Sequence, residues 1–271
     1  MKQIKYIFLL SIIFFSCDEI NTVNDFNNDF VFLCLLTNDQ AIQKAYLYNP
    51  RDAKREYNPY MFDWNGDFIH NAEIIISDGI ISSQLQVRSL PTNYWNVIEY
   101  TYSDDSIFYG KILPNKKYDL QLKVNNKIIT GSTITPGEFS INSLQDTIYP
   151  YQNIETGGYE YRISWTESNN SFQYSVFLNA MYKSNDGEER TYGMSAINTA
   201  DEFAIVGFPG KTFWNGKEYY QYAAEFIVVA VDKNYYDYAF LSRDRAGLSS
   251  QYGVFGSCIT KSCTAYIKYN D

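Results

Sequence analysis

Apolar and polar residues alternate with a period of two along much of this chain, which predicts β-strands rather than helices. The stretches 118–124 and 159–166 follow this alternation without a break. A helix would scatter their aromatic residues around its axis, whereas a strand places them on one face. The run 30–36 is apolar throughout and ends at the polar residues 37–39, which is typical of a central strand buried on both faces.

Turn signals separate the predicted strands. Asn or Asp followed by Gly or Asn can adopt the positive φ that tight hairpins require. Such pairs occur at Asp78-Gly79, Asn125-Asn126, Asp186-Gly187 and Asn215-Gly216. Phe213-Trp214 and Tyr219-Tyr220 flank the last turn, which predicts a hairpin with aromatic cross-strand pairs. Helical patterns are nearly absent, and the best candidate for a helix is 234–242.

The predicted strands fall into two modules, with a break at Thr135-Pro136-Gly137. Residues 30–135 form the first module and residues 137–232 the second, and each has about 100 residues, the usual size of an immunoglobulin-like sandwich. We therefore predict an all-β fold with two tandem immunoglobulin-like or fibronectin-like β-sandwich modules. The tail 233–271 is rich in Tyr and Gly, and we expect this C-terminal extension to pack on the second module.

The N-terminal segment has the form of an export signal. Lys2 and Lys5 precede an apolar run at 7–15, which is soon followed by Cys17. The run is too short to cross a bilayer, which takes about 20 helical residues. Cleavage before Cys17 fits a lipoprotein signal peptide, after which 17–29 provide a lipidated cysteine and a flexible tether. The alternative is an uncleaved apolar N-terminus with an incidental cysteine.

Composition and charge narrow the function classes. The chain has 271 residues, of which 45% are hydrophobic and 20% charged, and its formal net charge is −9. Loss of the signal peptide, residues 1–16, removes two of the 22 basic residues and none of the 31 acidic ones, so the mature charge is −11. A charge of this sign argues against nucleic acid as a partner, because phosphate binding needs a basic patch. Aromatic residues make up 18% of the chain, which again favours β structure.

The cysteines predict a disulfide rather than a metal site. Cys258 and Cys263 are separated by four residues in a chain that we expect to be exported, so we expect a disulfide between them, with two free thiols as the alternative. A zinc site needs further ligands, and only Cys34 and the single histidine, His70, remain. We therefore predict no metal. Cys34 lies in an apolar run and is expected to be a buried, inert thiol.

Aromatic clusters outside the clean strands are the candidate binding surfaces. They occur at 57–62, 149–151 and 235–238. Exposed rings of this kind stack on sugar rings or bury against a partner protein, whereas core packing is the alternative for each cluster. The candidate ligand-binding residues are Tyr57, Tyr60, Phe62 and Trp64.

The usual catalytic signatures do not occur in the sequence. It has no Gly-x-Ser-x-Gly elbow and no His-Glu-x-x-His motif, which disfavours serine hydrolases and zinc peptidases. Gly-Lys-Thr at 210–212 lacks the glycine spacing of a phosphate loop. We predict no catalysis and no cofactor. A small glycosidase that uses a carboxylate pair stays open as an alternative, because its two acids can come from anywhere in the chain.

Several short motifs are spread along the mature chain. They are Cys17, 35–38, 71–79, 113–120, 133–136 and 252–256. Together they resemble a family of Bacteroidota outer-membrane lipoproteins of unknown function, whose genes often lie beside those of TonB-dependent transporters. The resemblance implies a lipid anchor on the outer membrane, on its periplasmic or surface-exposed face, and an accessory role beside an uptake transporter. Asp18-Glu19 is similar to the acidic signal that directs such lipoproteins to the outer face.

These observations predict a lipid-anchored binding or scaffolding protein of the cell envelope. Its expected partners are the membrane, through the acyl chains on Cys17, and, by resemblance, an outer-membrane transporter. The alternative is a surface glycan-binding lipoprotein that uses exposed Tyr and Trp platforms.

Overall fold

The structure is a computed structural model. It describes residues 30–39, 43–49, 67–69, 71–91, 96–102, 112–124, 126–142, 147–148, 151–152 and 159–268. The predicted signal peptide and tether lie outside these ranges, as does the aromatic cluster at 57–62. Among the described residues, no helix is long and apolar enough to cross a membrane.

The first half of the chain forms a sheet that we call the first unit. Its strands are β1 (Val31–Thr37), β2 (Lys44–Asn49), β3 (Asp67–Phe68), β4 (Glu73–Ser77), β5 (Ser82–Pro91), β6 (Asn96–Tyr102), β7 (Lys117–Val124) and β8 (Lys127–Ile134). They hydrogen-bond in the order β1-β2-β6-β5-β4-β7-β8, and β3 pairs with β2. Neighbouring strands in this path are antiparallel.

The core of the first unit lies on one face of this sheet. Alternate residues of β7 from Tyr118 to Val124 are buried, which confirms the predicted period of two. They share one apolar cluster with Phe32 of β1 and Ile129 of β8. Since β1 and β8 stand at the two ends of the strand order, the sheet folds back over its own core.

The second half of the chain forms the second unit. Its elements are β9 (Thr147–Ile148), β10 (Tyr151–Gln152), β11 (Tyr159–Ser164), β12 (Gln173–Ser184), β13 (Glu189–Thr199), β14 (Phe203–Phe208), β15 (Lys211–Trp214), β16 (Lys217–Val231), α1 (Lys233–Ala239), β17 (Arg245–Ala246) and β18 (Tyr252–Ile267). Strands β10, β11 and β14 form a separate sheet. The larger sheet of this unit has the strand order β13-β12-β16-β18. Ile163 and Val206 of the small sheet pack against Leu178 of β12 and Phe226 of β16. The predicted all-β sandwich fold is therefore confirmed.

Strand β18 belongs to both units. Its first half, Tyr252 to Cys258, pairs in parallel with β1. Its second half, from Cys258 to Tyr266, pairs antiparallel with β16. The C-terminal extension is predicted to pack on the second module, but the structure also places it against the first. One strand thus extends the sheets of both units.

A buried hydrogen-bonded cluster lies where the two units meet. Asp232, which follows β16, is only 2% exposed. Its Oδ2 accepts hydrogen bonds from Thr133 of β8 and, at 3.1 Å, from Ser257 of β18. Its Oδ1 accepts the backbone N–H of Tyr235 at 2.8 Å and thereby caps α1. One carboxylate therefore connects elements of both units.

Most of the local sequence signals agree with the structure. Gly79, Gly187 and Gly216 have φ values of 87°, 89° and 78°, as their turns require. Strands β15 and β16 form the predicted hairpin around Asn215-Gly216, but the predicted aromatic cross-strand pairs are wrong, because Phe213 lies opposite Glu218 and Tyr220 lies opposite Lys211. Helix α1 overlaps the predicted helix at 234–242.

The predicted disulfide is wrong. Cys258 and Cys263 are both free, and both lie in β18. Five residues of extended strand separate their Cα atoms by about 16 Å, whereas a disulfide needs roughly 4.4–6.8 Å. The odd separation also directs the two side chains to opposite faces. Cys34 is buried, and its burial raises its pKa to about 12, which fits the predicted inert thiol.

Candidate functional site

Most of the residues singled out by the sequence lie outside the described part of the chain. These are Cys17, Tyr57, Tyr60, Phe62 and Trp64, which stay predictions. The cluster at 235–238 is described, and it belongs to the packing of α1. Tyr238 is buried, and Tyr236 stacks on Phe240 with 5.7 Å between ring centroids.

Two hairpins form one end of the second unit, and we call them the tip. One joins β12 to β13 through Asp186-Gly187, and the other joins β15 to β16 through Asn215-Gly216. Tyr266, near the end of β18, lies opposite Ala223, and β16 reaches beyond that pair to its hairpin turn. Val31, where β1 begins, pairs with the start of β18. The tip and the start of β1 are therefore at opposite ends of a strand path about 60 Å long.

The inner side of the tip is a small aromatic core. Tyr182 of β12 and Tyr219 of β16 are buried there, with the half-buried Tyr192 of β13 against them. The rings of Tyr182 and Tyr192 meet edge to face at 5.6 Å. Trp214 of β15 packs on Tyr192 with 6.3 Å between centroids. These contacts hold the two hairpins together.

Ion pairs connect the hairpins near their turns. Lys217 contacts Asp186 at 2.6 Å and Glu188 at 3.1 Å. Arg190 contacts Glu188 at 2.5 Å, and its guanidinium carbon lies 5.8 Å from the ring centroid of Trp214. The hydrogen bond from Lys217 lowers the pKa of Asp186 to about 2. Exposed pairs of this kind contribute little stability, but they orient the two turns relative to each other.

The outer side of the tip is an exposed sheet surface that we call the tip face. Its residues are Lys183 of β12, Glu189 of β13, Lys211 and Phe213 of β15, Glu218 and Tyr220 of β16, and Tyr266 of β18. They alternate with the inner residues, as the exposed Tyr220 alternates with the buried Tyr219 and Gln221. Phe213 is 65% exposed.

The charged side chains of the tip face are paired with one another. Lys211 contacts Glu218 at 3.0 Å, and Lys183 contacts Glu189 at the same distance. The Tyr220 hydroxyl donates a hydrogen bond to Glu218. Tyr220 and Lys211 lower the pKa of Glu218, and Lys183 lowers that of Glu189. The surface is electrically balanced, and its carboxylates stay ionised at neutral pH.

Outside the tip, the described residues offer fewer groups that could bind a ligand. They contain no group of three or more His, Cys, Asp and Glu side chains placed to hold a metal ion. An open groove of about 570 Å³ lies between β7, β8 and 247–249. Its acidic residue, Asp119, contacts Lys117 at 2.7 Å, and the rest of its lining is Leu, Gly, Ser and Thr. The tip face is therefore the stronger candidate.

Comparison with known proteins adds little to this geometry. No family model matches the chain, and no curated protein matches it by sequence. Over 69% of its length the chain is similar to 48% of a DUF4785 family protein from Legionella pneumophila, with 14% identity and a TM-score of 0.20. Over 91% of its length it is similar to 16% of trypsin-activated alpha-2-macroglobulin from Escherichia coli, with 11% identity and a TM-score of 0.26. The chain spans under half of either protein, and likenesses this distant assign neither a family nor a function.

Proposed function

We propose that this chain is a lipid-anchored binding protein of the cell envelope that catalyses no reaction. Acyl chains on Cys17 hold it at the outer membrane, 18–29 give it reach, and the tip makes the contact. Burial of an acyl chain contributes about 0.8 kcal/mol per CH₂, so several chains on one cysteine anchor a protein stably. Confinement to a surface raises the effective concentration of whatever the protein binds.

The positions of the tip and of the start of β1, at opposite ends of one strand path, carry this proposal. β1 begins at Val31, just after the predicted tether, while the tip lies about 60 Å away along the strand path. An anchor at the first end leaves the tip directed away from the point of attachment. The tip also presents exposed aromatic and charged groups, which are typical of recognition surfaces.

On the basis of the lipoprotein resemblance, we propose an outer-membrane uptake transporter as the partner, with this chain as its accessory. The exposed rings of the tip face favour a second candidate, a surface glycan-binding lipoprotein. The two candidates differ in what they bind. A transporter accessory co-purifies with a membrane protein, whereas a glycan-binding protein is retained by a polysaccharide.

The anchor is tested by a Cys17→Ala variant of the full chain. We expect this variant to lose labelling by radioactive palmitate and to move from the membrane fraction to the soluble fraction, because it lacks the thiol that receives the lipid. Cys263→Ala is the matched control, since it also removes one thiol and should label like the wild type. Palmitate that persists on the Cys17→Ala protein would show that the anchor is elsewhere.

A further inference from the structure

Three of the exposed aromatic residues in the described part of the chain lie together on the tip face. Phe213 is 65% exposed, Tyr266 is 62% exposed and Tyr220 is 42% exposed. Single exposed apolar residues are ordinary in folded proteins. Several rings on one side of a small sheet form a patch, and patches of this kind mark binding surfaces. The inner core of the tip is already occupied by Tyr182 and Tyr219, so packing does not account for the outer rings.

The charge pattern of the tip face selects the kind of ligand. Its two lysines are each paired with a glutamate, so the described face presents no surplus of positive charge to an anion. The chain as a whole is acidic, with a formal charge of −9. A neutral ligand rich in hydroxyl groups suits this surface, because hydroxyls donate to carboxylates and accept from ammonium groups.

The rings and the charges alternate across the β15–β16 hairpin. Phe213 lies opposite Glu218, and Lys211 lies opposite Tyr220. The two aromatic residues are therefore diagonal neighbours, roughly 7–8 Å apart at their Cα atoms. The Lys211–Glu218 ion pair occupies the other diagonal, between the rings. The two rings thus lie on either side of a fixed hydrogen-bond donor, Lys211, and a fixed acceptor, Glu218. This arrangement matches consecutive sugar rings, because each sugar ring has an apolar C–H face and hydroxyls at its edge.

Short polar side chains continue this surface along the sheet. Asn179 of β12 pairs with Gly193 of β13 on one side and with Glu225 of β16 on the other. Its Nδ2 donates to Glu225 at 2.9 Å, and Thr264 of β18 lies opposite that glutamate. A Cβ at Gly193 would have only the Asn179 oxygen near it, at 3.6 Å, so this part of the surface is low and open. An extended chain can lie flat across it.

We propose that the tip face binds a neutral polysaccharide. Its sugar rings stack on Phe213 and Tyr220, and its hydroxyls hydrogen-bond to Lys211 and Glu218. This inference builds on the proposed binding function, of which it names the ligand class, but it does not depend on the lipid anchor or on a transporter.

The test is affinity electrophoresis of the full-length protein in detergent, with gels that contain xylan, mannan, starch or hydroxyethyl cellulose. Anionic alginate is the comparison polymer. We expect at least one neutral polymer to retard the protein, and Phe213→Ala and Tyr220→Ala each to weaken that retention roughly tenfold. Phe213→Tyr should retain binding, because it keeps the ring. Ile128→Ala is the matched control, since Ile128 is a 61% exposed strand residue of the first unit.

Three results would overturn the inference: no retardation by any neutral polymer, equal retardation of the alanine variants and the wild type, or retardation by alginate alone. Each variant is checked by its urea unfolding midpoint, which should move little because Phe213 is mostly exposed and Tyr220 is 42% exposed. Palmitate labelling of the same preparations separates the two proposals. Labelled protein that co-purifies with a transporter but ignores sugars removes only the glycan assignment, whereas sugar binding by unlabelled protein removes only the anchor.

Discussion

A Gly253→Ala variant will unfold at a lower urea concentration than the wild type, with a loss of about 3 kcal/mol or more in the free energy of unfolding. Gly253 has a φ of +114°, a conformation that favours glycine. A Cβ there would stand 1.9 Å from the carbonyl oxygen of Phe32. The backbone must therefore shift where β18 and β1 pair in parallel. Urea denaturation followed by circular dichroism measures the loss.

Gly79→Ala is the matched control, because it separates the two causes. Gly79 also has a positive φ, +87°, but nothing lies within 4 Å of an added Cβ. This variant changes only the backbone preference, and we expect it to cost about 1 kcal/mol. If the two variants were equally stable, β1 and β18 would not approach each other as closely at Gly253 as the structure has it.

An Asp232→Ala variant is expected to lose about 2–4 kcal/mol in the free energy of unfolding. The replacement leaves the buried hydroxyls of Thr133 and Ser257 without their shared acceptor. It also removes the side-chain cap on the backbone N–H of Tyr235. Because this cluster lies between the units, we expect the whole chain to unfold in one transition at lower urea. An unchanged midpoint would contradict the cluster.

Asp232→Asn is the conservative variant, and the difference in stability between it and the wild type is expected to depend on pH. Burial raises the pKa of Asp232 above its ordinary value. At pH values between the ordinary and the raised pKa, the native state binds more protons at this group than the unfolded state does. The contribution of Asp232 to the free energy of unfolding therefore rises as pH falls through this range, and it is least favourable at higher pH. Asparagine does not titrate. The stability of the wild type relative to Asp232→Asn should therefore increase as pH falls towards about 4, and a constant difference would argue that Asp232 is not desolvated.

The sequence predicts the local structure well, because each signal lies within a few residues. The alternation in 118–124 appears as the burial pattern of β7, and the Asn215-Gly216 turn appears as the hairpin of β15 and β16. The continuous apolar run at 30–36 becomes β1, a strand with a neighbour on both edges. Period and turn chemistry are enough for these elements.

The shared strand could not be predicted in this way. β18 pairs with β1 across more than two hundred residues, and a parallel pair carries no turn signal that would fix its partner. The cysteine spacing was misleading for a related reason. Cys258 and Cys263 are close in sequence, but both lie in β18, and its extended backbone keeps the two thiols apart.

The tip face was missed because the alternation in β16 changes phase. The pairing of β12 with β16 shifts between Met181 and Tyr182, which is the mark of a β-bulge. After it, even-numbered residues such as Ala224 face the core, whereas before it the odd-numbered Tyr219 does. A single alternating pattern therefore assigns one half of the strand to the wrong face. The aromatic residues on either side of the Asn215-Gly216 turn were the available signal. They predicted the hairpin, but not its register or the side on which each ring lies.

Mass spectrometry of the native protein, purified from membranes, tests the central claim most directly. The protein should begin at Cys17, and its N-terminal peptide should be heavier by the mass of the attached lipid. A protein recovered from the soluble fraction that begins at Met1, with an unmodified thiol on Cys17, would contradict the anchored binding protein proposed here.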